Sequence, residues 1–99
     1  MTAPSSDRAA IRQIIRALLA ANHALVEVND GEEQFAVKNE REAIEGIMAV
    51  DVATLWVRKP DGEVSFILFV MGNDPEEVAA DWGVSLSPVL DPLTESWWD

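Results

Sequence analysis

Apolar residues at Ile11, Ile14, Ile15, Leu18 and Leu19 recur at i, i+3, i+4, i+7 and i+8, while Arg8, Arg12, Gln13 and Arg16 fall elsewhere. That spacing predicts one amphipathic helix over residues 7–22, with Ser5 or Ser6 as its N-cap and Asn22 suited to its C-terminal end. The period then changes to two. Ala24, Val26 and Val28 alternate with Leu25 and Glu27, the Asn29-Asp30-Gly31 stretch tolerates positive φ, and alternation resumes over residues 34–38. Two alternating runs around Asp-Gly predict a β-hairpin whose loop is lengthened by Glu32 and Glu33. Asn39 followed three residues later by Glu42 is a capping box, and it introduces a second helix that buries Ala43, Ile44, Ile47 and Met48 and stops near Val50 or Asp51.

Residues 54–59 and 63–71 flank Pro60-Asp61-Gly62, which predicts a second hairpin. Its later strand has Val64, Phe66, Leu68 and Val70 on one face, but Ile67, Phe69 and Met71 on the other are apolar too, the pattern of a central strand. Gly72 and Asn73 break it. Asp74, Pro75, Glu76 and Glu77 then read as N-cap, first-turn proline and capping acids of a short helix that runs through Trp82 and closes at Gly83 in a left-handed conformation. Beyond Val84, Pro88 and Pro92 argue for an irregular tail that wraps the domain through Leu86, Val89, Leu90 and Leu93. The expected fold is a single α+β domain over residues 1–99, with residues 1–6 and 95–99 frayed. It is a four-stranded antiparallel meander of two hairpins with helices packed on one face, in the order α-β-β-α-β-β-α plus tail.

Ninety-nine residues, 48% of them hydrophobic, suffice for one core. The chain has no cysteine, which excludes disulfides, thiolate metal sites and cysteine nucleophiles. Residues 1–7 are polar and carry no basic stretch, and the longest apolar run, 66–72, is about a third of a bilayer crossing. A cytoplasmic protein with no membrane contact is the expectation.

Charge changes the picture further. Eighteen acids against seven bases give a net charge of −11, which repels DNA, RNA and anionic membranes and attracts basic proteins. Gly-x-Ser-x-Gly, Gly-x-Gly-x-x-Gly and Gly-x-x-x-x-Gly-Lys patterns are absent, so serine-hydrolase and nucleotide-binding readings lose their usual support. His23 is the only histidine, and its place after the first helix favours a structural role. No residues are assigned to catalysis or to a cofactor. The candidate partner-binding residues are the acids Asp30, Glu32 and Glu33 of the first hairpin loop, Asp74, Glu76, Glu77 and Asp81 around the expected third helix, and the terminal pair Trp97 and Trp98. The two acidic clusters have the oxygen chemistry of a calcium or magnesium site, without the spacing of the twelve-residue calcium loop.

The stretch Val28-Asn29-Asp30-Gly31-Glu32-Glu33, the Asp61-Gly62 turn, and Phe69-Val70-Met71-Gly72-Asn73-Asp74 with Val78 and Asp81-Trp82 downstream resemble a group of small uncharacterised proteins of phage, prophage and plasmid origin. The resemblance covers about residues 24–85. Trp82 stands where that group has tyrosine, and Ala79 and Ala80 stand where it has bulkier residues. It implies a mobile-element accessory protein rather than a metabolic enzyme. The leading expectation is a non-enzymatic acidic module that binds a basic protein, in one form imitating nucleic-acid phosphates on a host factor. The alternatives are a structural protein that self-associates through its Trp-rich end or a sheet edge, and a carboxylate metal-binding domain.

Overall fold

The computed structural model describes residues 3–98. Helix α1 (Asp7–Ala20) starts where Ser6 accepts a hydrogen bond from the Ala9 amide at 3.1 Å. It ends where Asn22 takes φ +64°, so that the Asn22 amide donates to Leu19 O at 3.1 Å and the His23 amide to Leu18 O at 2.9 Å. This paired closure satisfies two carbonyls that the helix leaves free, and asparagine is the non-glycine residue best suited to the left-handed position. His23 is buried, and its Nδ1 lies 3.0 Å from Ala21 O, so the imidazole helps finish the same helix end. Strands β1 (Ala24–Asn29) and β2 (Gln34–Ala36) form the first hairpin, and α2 (Glu40–Met48) follows. Asn39 accepts from the Glu42 amide at 2.9 Å, and Glu42 reaches back to the Lys38 amide at 2.7 Å. β3 (Val52–Arg58) and β4 (Val64–Val70) form the second hairpin around Pro60-Asp61-Gly62.

The sheet departs from the expected meander in two ways. Its order is β2-β1-β3-β4-β5, antiparallel throughout, so β1 rather than β2 lies beside β3. A fifth strand, β5 (Ala79–Trp82), occupies the segment expected to be helical; only Pro75–Glu77 forms a single 3-10 turn. Asp74 makes no side-chain cap bond there, and Gly83 has φ −61° rather than a left-handed value. The backbone of β4 explains the change: an apolar strand with a free edge leaves donors and acceptors unpaired, and the Val70 amide donates to Val78 O and the Gly83 amide to Phe66 O along that edge. Long-range pairing outweighs the local capping signal. Gly83 is needed for another reason, since a Cβ there would strike the Ser65 hydroxyl.

Alternation was also misread within β1. An irregularity between Leu25 and Glu27 inserts an extra residue, which puts Leu25 opposite Val57 and Val28 opposite Leu55, while Glu27 turns to the other face opposite Trp56. The core lies between one sheet face, carrying Val28, Ala53, Leu55, Val57, Ile67 and Phe69, and the helices, which contribute Ile11, Ile14, Ile15, Leu18, Ile44 and Ile47. Phe35 of β2 reaches α2 because Gly46 leaves room; a Cβ at 46 would lie 2.7 Å from its ring.

The tail is a helix too. Helix α3 (Ser87–Ser96) places Leu90, Leu93 and Trp97 on its buried side, preceded by Leu86 in a 3-10 turn. Pro88 sits in the first turn, where its missing N–H is not needed, and Pro92 removes one interior bond. Burial of this i, i+4, i+7, i+11 row outweighs that loss. The helix and its C-cap carry the chain through Trp97. Trp97 is 4% exposed and its Nε1 donates to Gln13 Oε1 of α1 at 3.0 Å. Of the ends expected to fray, Pro4 is buried and Ser6 caps α1; residues 1, 2 and 99 lie outside the described residues.

Two substitutions check these assignments by urea denaturation. Asn22→Ala is expected to lose about 1 kcal/mol because alanine resists positive φ, while Asn22→Gly stays within about 0.5 kcal/mol of the parent. Trp97→Ala should lose about 3 kcal/mol and Trp97→Phe about 1 kcal/mol, the latter reporting the bond to Gln13.

Candidate functional site

The first acidic loop is built around its own backbone. Asp30 Oδ1 accepts from the Glu32 and Glu33 amides at 2.9 and 2.8 Å, and Asn29 Oδ1 accepts from the Gly31 amide at 2.8 Å. These amides favour the charged carboxylate and hold Asp30 below the ordinary aspartate value. Asp61 is lowered in the same way, first by the Glu63 amide at 2.9 Å and then by Lys59. Asp30 thus spends one oxygen on shaping the loop, while Glu32 and Glu33 are exposed.

The strand register brings distant acids to one end of the molecule. Asn29 lies opposite Thr54, Val52 opposite Val70, and Phe69 opposite Ala79, so β1 leaves the sheet, β3 enters, β4 leaves and β5 enters at the same end. That end carries Asp30, Glu32 and Glu33 at one corner, Asp51 in the middle, and Asp74, Glu76 and Glu77 at the other corner. The start of α1 joins them, with Asp7 Oδ2 accepting from the Gly72 amide at 3.3 Å. Strand spacing puts the two corners about 10–15 Å apart, so they form one field without forming one chelate. Among the described residues no three His, Asp or Glu side chains converge on a metal-sized site.

Cations lie elsewhere. All seven Lys and Arg residues occur at or before Lys59, where nine acids accompany them; from Pro60 onward there are nine acids and no base. The ion pairs among the described residues are Arg16–Glu40 at 2.6 Å, Arg41–Glu45 at 3.3 Å and Lys59–Asp61 at 3.2 Å, and none involves the acidic end; Arg8 stands in the first turn of α1, which begins at that end. Arg58 and Lys59 sit at the opposite end of the sheet. Carboxylates occur at both ends of the sheet, but at the opposite end Glu40 and Asp61 are paired with Arg16 and Lys59, whereas no ion pair among the described residues joins the acids of the 30–33 and 74–77 loops to a base.

The remaining candidates separate. Asp81 is exposed on β5 opposite Leu68, away from any helix. Trp97 belongs to the core and is not available to a partner, whereas Trp98 is 64% exposed.

A further surface went unread in the sequence. The helices cover one face of the sheet, and across the other run the rows Ala24–Arg58–Val64, Ala36–Glu27–Trp56–Phe66, Gln34–Asn29–Thr54–Leu68–Asp81 and Val52–Val70. Val52 and Val64 are exposed, and Trp56, Phe66, Leu68 and Val70 are half-buried without packing against the core. Trp56 and Phe66 make a tilted ring pair at 5.8 Å. The doubly apolar pattern of β4 was the available signal. Among the described residues there is no enclosed pocket, and no helix is long and apolar enough to cross a membrane.

Comparison with protein-family models, with curated proteins and with solved structures returns no match.

The lowered carboxylates give a pH dependence of definite sign. A group whose folded pKa lies below its unfolded value of 3.8 stabilises the fold fully above that value and loses its contribution as pH falls through the folded value. Carboxyl-carbon NMR titration is expected to find Asp30 and Asp61 with midpoints below 3.8, and Asp30→Asn should lower stability at pH 7 and flatten its loss in that acid range, so that parent and variant converge at low pH.

Proposed function

We propose that this protein is a non-enzymatic binding module whose acidic end engages a basic protein. The gathering of carboxylates carries the reading: Asp30, Glu32, Glu33, Asp51, Asp74, Glu76 and Glu77 share one end of the sheet, with Arg8 in the first turn of α1 beside them. Fixed charges of one sign on rigid loops raise the local concentration of an oppositely charged partner and speed its association. Nucleic acid and anionic lipid are repelled by the same field. The cysteine-free composition suits a cytoplasmic setting, and the resemblance to mobile-element proteins makes a host factor with a nucleic-acid-binding surface the natural target.

The test is capture from host lysate on the immobilised protein beside a variant carrying Asp30→Asn, Glu32→Gln, Glu33→Gln, Asp74→Asn, Glu76→Gln and Glu77→Gln, both first checked for the same melting temperature. Partners of high isoelectric point are expected on the parent alone and should be displaced by duplex DNA. Their affinity should fall at least about tenfold as ionic strength rises from about 0.05 to about 0.3 M. Retention that ignores both salt and neutralisation would end the proposal.

A further inference from the structure

The uncovered face of the sheet has a shape and a charge frame that specify an occupant. Its large apolar residues, Val52, Trp56, Val64, Phe66, Leu68 and Val70, all lie on the two adjacent strands β3 and β4. They form a strip about two strands or 10 Å wide, and the six steps from Val52 to Arg58 make it about 20 Å long. A single α-helix is about 10–12 Å across, and about 13 residues of it span that length. The strip is flanked on both long sides by acids: Glu27 on β1 lies in the row of Trp56 and Phe66, and Asp81 on β5 lies in the row of Leu68. Its one cation, Arg58, is at a corner, with Nη1 donating to Gly62 O of the hairpin turn at 3.1 Å.

We infer that this face docks an amphipathic helix whose apolar stripe is flanked on both sides by lysine or arginine. The inference builds on the acidic-module reading by giving the partner a secondary structure and a second contact surface. Apolar anchors on such a helix would cover Trp56, Phe66 and Leu68, and its basic flanks would meet Glu27 and Asp81. A second copy of the chain fits poorly, because face-to-face pairing sets Glu27 and Asp81 of one copy among those of the other in a molecule of charge −11. A bilayer surface fits poorly for the same reason, since anionic headgroups meet an acidic rim.

The test uses a labelled 14-residue helical peptide with a leucine stripe flanked by lysines and its counterpart with every lysine replaced by glutamate, read by fluorescence polarisation at moderate salt. The protein is compared with Phe66→Thr/Leu68→Thr, which keeps β-forming residues on the strand, and with Glu27→Lys/Asp81→Lys, each confirmed as folded by its melting curve. The basic peptide is expected to bind at least about tenfold more tightly than the acidic one, a difference of about 1.4 kcal/mol. Both protein variants should weaken it at least about fivefold, and the Lys variant should narrow or reverse the preference. Equal binding of the two peptides, binding of neither, or a dimer in solution that is abolished by Phe66→Thr/Leu68→Thr overturns the inference. If the basic peptide binds but only neutralisation of the loop acids weakens it, the acidic-end reading survives and the face is not the dock. If the face variants weaken it while loop neutralisation does nothing, the face stands and the acidic-end reading falls.

Discussion

Packing of the α1 stripe against one face of the sheet is the interaction from which the rest of the molecule follows. Ile11, Ile14, Ile15 and Leu18 are fully buried, and α1 touches α2, α3, β1 and the 75–77 turn. A helix can bury one stripe and a sheet one face per layer, so with α1 and its neighbours on the face of Leu55, Val57, Ile67 and Phe69, no helix among the described residues covers the opposite face. The half-exposed strip around Trp56 is thus the other side of the same packing decision.

Backbone hydrogen bonding imposes the second constraint. β4 is apolar on both faces, which is the pattern of a strand with neighbours on both sides, yet a four-stranded meander would have left it at an edge. Pairing with β5 resolves that conflict, although Ala79, Ala80 and Asp81 are weak strand formers. The acids of the 74–77 segment, which look like helix caps, are carried by this pairing to the corner of the sheet. Function as proposed is therefore tied to topology: the acidic end exists because the β1–β2 loop, the approach to β3 and the β4–β5 connection all emerge on one side.

Much of the fold was readable from local pattern. Both N-caps, Asn22 at the end of α1, the two hairpins and the buried rows of α1 and α2, save exposed Leu19 and half-buried Met48, depend on residues within a few positions of one another, and short-range chemistry settles them. The readings that failed involve competition between local preference and distant contact. The bulge in β1 moved Leu25 to the face of Val28, β5 replaced a well-signalled helix, and α3 formed through two prolines because Leu90, Leu93 and Trp97 gain a place in the core. The burial of Trp97, a partner-binding candidate in the sequence, is decided in the same way: nothing near it in the chain announces Gln13, eighty-four residues earlier.

By itself the sequence determined the fold class, most core residues of the first two helices, the turn chemistry and the net charge, all of which are composition or short-range order. Only the tertiary structure decided which strands are neighbours, which face stays open and where the charge gathers. Those properties arise from pairing between segments far apart in the chain, whose free energy no local window contains.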